Sequence, residues 1–140
     1  MQHEIRVIFG DTDQMGVVYY GNYMRFFEAS RAAFLRSFGK SHKDLDAWGV
    51  ALPVVEAHCR YRRPSRYEDL LDIHVDITEV RSASMRFEYA VMRDGELIAE
   101  GFTRHAVIGT DGRPRALPDP LRAAIPDGPL AARRDRTGTR

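Results

Sequence analysis

The sequence predicts an α+β domain in which a curved antiparallel sheet lies against one long helix. Three observations carry this. Between Tyr20 and Phe38, apolar residues recur at helical spacing. From Val54 to Ile108, successive runs alternate apolar and polar residues, as half-buried strands do. A striped helix and a one-faced sheet each have a surface to bury, and each can cover the other.

The elements follow in order. A first strand is expected near Ile5, Val7 and Phe9, with Glu4 and Arg6 on its other face. Gly10 to Gly16 reads as a loop. The long helix begins between Tyr20 and Asn22 and runs to Phe38, with Gly39 as its stop. Tyr23, Phe27, Ser30, Phe34 and Phe38 form its inner face, while Arg25, Glu28, Arg31 and Arg36 form another. The Arg25–Glu28 and Glu28–Arg31 spacings suit surface ion pairs. Ser41 caps a short second helix that reaches Trp48, and Gly49 ends it.

Strands fill most of the remainder. Val55, Ala57, Cys59 and Tyr61 alternate with Glu56, His58, Arg60 and Arg62, and Pro64-Ser65 breaks the run. Leu71, Ile73, Val75 and Ile77 make a second apolar face, and Met85, Phe87, Tyr89 and Val91 a third. Asp94-Gly95 is a hairpin turn. A last strand runs from about Leu97 to Ile108 and stops at the turn Asp111-Gly112. Pro118 to Ile125 suits a short helix. Residues 1–125 thus form the domain, and 126–140 a flexible tail.

Composition narrows the function. The chain has 140 residues, 44% hydrophobic and 29% charged, enough for one domain with its own core. Its formal net charge of +1 gives no basic footprint for nucleic acid, and the densest arginine run (Arg133, Arg134, Arg136) falls in the tail. The single cysteine, Cys59, rules out a disulfide within the chain and suits a reducing compartment. Its place in an alternating run reads as a buried structural thiol rather than a nucleophile. Neither a signal pattern nor an apolar run of membrane-spanning length is present, so a cytoplasmic protein without membrane insertion is expected.

The segment Phe9 to Tyr23 carries the chemistry. It holds two carboxylates, Asp11 and Asp13, and two glycines, Gly16 and Gly21, directly before a helix. A helix N-terminus presents unpaired N–H groups and partial positive charge. Such groups polarise a carbonyl and stabilise an oxyanion. A nearby carboxylate can attack that carbon or activate a water. Acyl transfer needs both parts. By spacing alone, however, turns and caps explain such a loop equally well or better. A calcium loop is a third reading of Asp11-x-Asp13-x-x-Gly16, but Met15 and Asn22 stand where oxygen ligands are required. The five histidines form no metal-ligand pattern, no serine sits in a nucleophile elbow, and no phosphate loop occurs.

The stretch Asp11-Thr12-Asp13-x-x-Gly16-Val17-Val18-Tyr19-Tyr20-x-Asn22-Tyr23, followed by Phe26, Phe27 and Glu28, resembles the hotdog-fold acyl-CoA thioesterases of the 4-hydroxybenzoyl-CoA type. It is especially similar to the branch containing the Tol–Pal-associated acyl-CoA thioesterase. Tyr61-Arg62-Arg63-Pro64-Ser65-Arg66-Tyr67-x-Asp69 resembles the family's second landmark. The resemblance implies a sheet wrapped around one helix. It also implies homodimers, often paired into homotetramers, with active sites at the subunit interface.

Carried over residue by residue, it implies that Asp13 is the catalytic carboxylate and that the N–H groups of Tyr20 and Gly21 form the oxyanion hole. Asp11 then orders the loop. Gly16, Val17, Tyr19, Asn22 and Tyr23 are the expected substrate contacts near the helix start. Arg81, Ser82 and Ser84 are the expected contacts to the coenzyme A nucleotide, with Ala83 where the 4-hydroxybenzoyl enzyme has a lysine. Arg60, Arg62, Arg63 and Arg66 are further phosphate candidates. Many members of the Tol–Pal branch carry histidine at the position of Tyr20, whereas the 4-hydroxybenzoyl type carries tyrosine. Glu56 and His58 share one side of a strand and read as a solvated or paired face.

The implied reaction is acyl-CoA hydrolysis without metal or redox cofactor. Acyl carrier protein is an alternative thiol carrier. A non-catalytic acyl-CoA-binding module is the alternative outside enzymes, and a dehydratase is disfavoured because Gly10 to Gly39 contains no histidine. The acyl group is not legible in the sequence.

Overall fold

The computed structural model describes residues 1–37, 42–119 and 122. Five strands make the main sheet: β1 (Gln2–Arg6), β3 (Val54–Tyr61), β4 (Leu70–Val80), β5 (Ser84–Arg93) and β6 (Glu96–Ala106). Their order is β1-β4-β5-β6-β3, and every pairing is antiparallel. Helix α1 (Asn22–Ser37) lies on one face, and a short helix α2 (His42–Ala47) follows it. Two further two-residue strands, β2 (Val50–Ala51) and β7 (Ile108–Gly109), pair with each other. The sequence pattern gave no sign of them, since two residues cannot display a period. The expected helix stop at Phe38-Gly39, the cap at Ser41, most of the 118–125 helix and the tail lie outside the described residues.

The helix stripe is as expected: Tyr23, Phe27, Ser30 and Phe34 are buried, and Phe26, Ala33 and Leu35 join them. Inward residues of β4 (Leu71, Ile73, Val75, Ile77) and β5 (Met85, Phe87, Tyr89, Val91) are buried against that stripe. Burying each such large side chain contributes about 1.5–3 kcal/mol. Phe27 lies flat on Tyr89, with ring centroids 4.2 Å apart and planes at 7°. Gly101 of β6 makes room for it. A Cβ there would stand 3.0 Å from the Phe27 ring and 2.1 Å from the His58 carbonyl oxygen. Asp94 and Gly95 both have positive φ, the conformation a two-residue hairpin of this type demands.

Three expectations need correction. Phe9 is not in the first strand. The chain leaves the sheet after Arg6 and makes a single turn of 3-10 helix over Phe9–Asp11, stabilised by the Asp11 side chain. The alternation read in β3 does not bury one face. Val55 and Tyr61 are exposed and Cys59 is half-buried, because β3 is a sheet edge with a neighbour on one side only. The helix arginines also do not pair with Glu28. Arg25 reaches Asp11 and Arg31 reaches the Tyr89 hydroxyl, since partners held by tertiary structure outcompete a mobile surface carboxylate.

A polar chain runs through the core. His105 Nδ1 lies 2.8 Å from the Leu52 carbonyl, which can only accept, so Nδ1 carries the proton. In the neutral ring Nε2 is then an acceptor for the Thr103 hydroxyl at 2.8 Å. Thr103 accepts from Tyr89 at 2.6 Å, and Tyr89 accepts from Arg31 at 3.0 Å. The order of donors is fixed from end to end. Burial, the leading cause, pushes the His105 pKa below its ordinary 6.5.

A depressed histidine pKa stabilises the fold above the unfolded value and loses that contribution as pH falls through the folded one. The unfolding free energy is therefore expected to drop below about pH 6.5, by up to about 1.4 kcal/mol per pH unit from this group. In His105→Gln that part of the slope should vanish. Urea titrations of both proteins at several pH values check this, and parallel slopes would refute it.

Candidate active site

The loop between β1 and α1 is a small hairpin built by its own backbone. Asp13 N–H donates to the Val17 carbonyl at 2.9 Å, and Gly16 N–H to the Asp13 carbonyl at 2.9 Å. Gly16 has φ +76°, a conformation that glycine adopts without strain. Thr12 and Val18 face each other as an antiparallel bridge. Met15 N–H donates to Asp13 Oδ1 at 2.9 Å. Asp13 is half-buried. Among the described residues, its second carboxylate oxygen has no hydrogen-bond partner.

Asp11 is used differently. It is buried, one oxygen accepts the Ile8 N–H at 2.9 Å, and the other pairs with Arg25. Its carbonyl accepts from Tyr19 N–H at 2.9 Å and from Asn22 Nδ2 at 2.8 Å. Asp11 therefore clasps the loop to the first turn of α1, as expected for an ordering residue.

At the helix start, Asn22, Tyr23 and Met24 donate their N–H groups to the carbonyls of Tyr19, Tyr20 and Gly21. Among the described residues, the amides of Tyr20 and Gly21 donate to nothing. The Tyr19 ring covers Gly21 so closely that a Cβ would lie 2.8 Å from it. Two free donors thus stand at the N-terminus of a sixteen-residue helix, whose dipole favours negative charge there.

The second landmark lies against the first. Val18 N–H donates to the Ser65 carbonyl at 2.7 Å, and the Tyr23 hydroxyl to Ser65 Oγ at 3.2 Å. Ser65 is fully buried. Tyr61 closes the group. Its hydroxyl donates to the Tyr20 carbonyl at 3.1 Å, and its ring meets those of Tyr20 and Tyr23 edge-on. Neither Tyr61 nor Ser65 was assigned a role from sequence. The available signal was the Pro64-Ser65 break at the end of β3, which brings both beside the loop.

The fold gathers Asp13, Gly16, Val17, Tyr19, Tyr20, Gly21, Asn22 and Tyr23 in one region. It uses Asn22 and Tyr23 partly for structure, through Asp11 and Ser65. Arg81, Ser82 and Ser84 are at the β4–β5 turn, at the far end of an eleven-residue strand. That is roughly 30 Å away along the sheet in the same chain. Arg62 and Arg63 pair with Glu100 and Glu96. Arg66 sits over Gly16. Glu56 pairs with Arg104, and His58 stacks on Phe102. The thiol of Cys59 is pushed above its ordinary value, chiefly by burial, which disfavours the thiolate a nucleophile needs. A groove of about 410 Å³ on the outer sheet face, lined by His58, Arg60, His74, Arg86 and Phe102 among others, contains none of the loop residues.

A hotdog fold, an antiparallel sheet around one long helix with a carboxylate loop before it, defines a thioesterase-like class of protein. Residues 7–127 match the thioesterase-like superfamily, and the chain belongs to it. It is similar to the acyl-CoA thioester hydrolase YbgC of Escherichia coli O157:H7, 35% identical over 118 residues, covering 81% of this chain and 87% of that one. It is also similar to the acyl-CoA thioesterase YbgC of Haemophilus influenzae, 30% identical over 123 residues, covering 86% and 90%. Among solved structures, the 1,4-dihydroxy-2-naphthoyl-CoA thioesterase Slr0204 from Synechocystis superposes with a TM-score of 0.84 at 27% identity. It covers 90% of this chain and 95% of the other.

Replacing Asp11 by Ala leaves the Ile8 amide and the Arg25 guanidinium without their acceptor. The expected loss is about 2 kcal/mol of stability, most of it from the buried Asp11 end of these bonds, since Arg25 is half in water and its share is screened. Urea unfolding measures it, and a loss under about 0.5 kcal/mol would mean that Asp11 does not clasp the loop.

Proposed function

We propose that the chain hydrolyses acyl-CoA thioesters to the free acid and coenzyme A. The observation that carries the reading is the pair of unbonded amides at Tyr20 and Gly21, in the same loop region as an Asp13 carboxylate with an oxygen to spare. The thioester carbonyl oxygen accepts from those amides. Asp13 attacks the carbonyl carbon, or takes a proton from a water that does. The negative charge that develops on oxygen is held by the donors and the helix dipole. The C–S bond then breaks, and coenzyme A leaves as a thiolate stable enough to need little acid help. Where water attacked, the free acid forms directly and Asp13 returns its proton to the thiolate or solvent; where Asp13 attacked, water hydrolyses the acyl–Asp13 anhydride to the free acid and restores the carboxylate. The reaction calls for no metal or redox cofactor.

Within the superfamily, the proposal extends to the 4-hydroxybenzoyl-CoA type and its Tol–Pal-associated branch. The motif from Asp11 to Tyr23 supports this. The lone cysteine suits a reducing cytoplasm. Among the described residues, no helix is long and apolar enough to cross a membrane.

The working unit in this proposal is a homodimer, or a homotetramer of two such dimers. The support is an edge. Strand β3 spans eight residues, and its other side has no strand neighbour among the described residues. It exposes Val54, Val55 and Tyr61, while Ile8, Phe9, Met15, Tyr19, Tyr20 and Tyr67 are exposed around the loop. Long exposed edges and apolar patches of this kind invite a partner. Antiparallel β3–β3 pairing about a two-fold axis would bring one copy's β4–β5 turn to the same end as the partner's loop. Arg81, Ser82 and Ser84 could then meet a substrate whose acyl end lies at the partner's Asp13.

Thiol release from a panel of short, long and aromatic acyl-CoAs tests the reaction, with acyl carrier protein thioesters as a separate arm. Asp13→Asn should keep binding and lose at least about a hundredfold in kcat. Binding without cleavage by the wild type would replace the hydrolase with an acyl-CoA-binding module. Sedimentation should give at least twice the chain mass for the wild type and a smaller average mass for Val55→Lys. A monomeric wild type would overturn the edge pairing.

A further inference from the structure

The amide that donates to nothing at Gly21 shares a planar peptide group with the carbonyl of Tyr20. The described peptides include no cis bonds, so the N–H and the C=O of this unit point in opposite directions. Whatever fixes the carbonyl therefore aims the N–H. The Tyr20 carbonyl accepts twice: from the Tyr23 amide at 3.3 Å, a long bond, and from the Tyr61 hydroxyl at 3.1 Å. The second donor arrives from a different element, 41 residues along the chain at the last position of β3. Tyr61 faces the helix side of the sheet, because it pairs with Ala99, whose side chain is buried there.

We propose that Tyr61 is a positioning residue that orients and polarises the Tyr20–Gly21 peptide so that the Gly21 N–H is held ready as an oxyanion donor. This rests on the hydrolase reading given above. Two effects act together. The bond pins the plane of a turn peptide that a single long helix bond holds loosely. It also draws electron density to the carbonyl oxygen, which makes the N–H at the other end of the same amide a better donor, as chained hydrogen bonds do. The ring contacts to Tyr20 and Tyr23 fix the phenol where it can do this. Burial, the leading cause, pushes the Tyr61 pKa up to about 12, so the hydroxyl keeps its proton throughout the ordinary working range. The Tyr19 ring lies against the Cα of Gly21, close enough that a Cβ there would stand 2.8 Å from it.

Tyr61→Phe removes one hydroxyl and keeps the ring. Two measurements on the full chain decide. The first is steady-state thiol release with the best acyl-CoA of the panel. The expected result is a fall in kcat of about tenfold, smaller than for outright loss of an oxyanion donor, with KM within about twofold and an unchanged melting midpoint. The second needs no turnover. Tyr20-Gly21 is the sole Tyr-Gly pair in the sequence, so labelling tyrosine carbonyl carbon and glycine nitrogen gives one assigned amide signal. In Tyr61→Phe that signal should move upfield in both the Tyr20 carbonyl and the Gly21 amide proton.

A signal that stays in place overturns the proposal whatever the rate does. So does an unchanged kcat in an active enzyme, or a rate loss carried by KM. If the wild type cleaves no thioester, the hydrolase reading fails, and with it the oxyanion role given to Tyr61. The signal then reports only whether Tyr61 orients this peptide.

Discussion

The position of the candidate site is set by how closely α1 approaches the sheet. Phe27 lies flat on Tyr89, beneath the bare Cα of Gly101. A side chain at Gly101 would collide with both the Phe27 ring and the backbone of β3, so helix height and edge-strand position are fixed at one point. Close-packed interiors transmit such constraints over a distance, because few voids exist to absorb a shift. The N-terminus of α1 is one and a half turns upstream of Phe27, and Tyr61 is two residues along β3 from the partner of Gly101. The geometry of the free amides and of the phenol beside them thus depends on a ring stacked in the core.

Polar groups extend the same constraint. The chain from Arg31 through Tyr89, Thr103 and His105 to the Leu52 carbonyl threads the packed interior with every donor assigned. A satisfied network of this kind rigidifies a core, because any slip leaves a buried group unpaired. It begins on α1 and ends next to β2, so it ties the helix to both β5 and β6 and to the segment leading into β3.

Much of this was legible in the sequence. The alternating runs that form β4 and β5, and the helical stripe, follow directly from the periods of their apolar residues, because those residues face one core. The carboxylate loop before the helix was equally visible, while the separate part expected of Asp11 came from the family resemblance and not from the spacing. What was not legible depends on long-range neighbours. Phe9 looks like strand by alternation, yet the Asp11 side chain bends the chain there. Val55 and Tyr61 alternate as buried residues do, but an edge strand exposes them. Arg25 is spaced for Glu28 and finds Asp11 instead. Tyr61 is 41 residues from the carbonyl it holds, and no local pattern announces such a bond.

Two aspartates two residues apart in one loop have opposite fates, and hydrogen bonding decides between them. Asp11 is buried, and both its oxygens are engaged, one by a backbone amide and one by a guanidinium. Buried and paired on each oxygen, this carboxylate is turned to the fold and away from a substrate. Asp13 gives one oxygen to the Met15 amide and keeps the other. The first three helical residues use their amides on the turn before them, and the two amides just upstream are left over. Among the polar groups that folding leaves unspent in this loop are an acceptor on Asp13 and, at the helix start, donors on Tyr20 and Gly21. Acyl transfer asks for that complement: electron density to attack a carbonyl carbon, and hydrogen-bond donors to receive the charge on its oxygen.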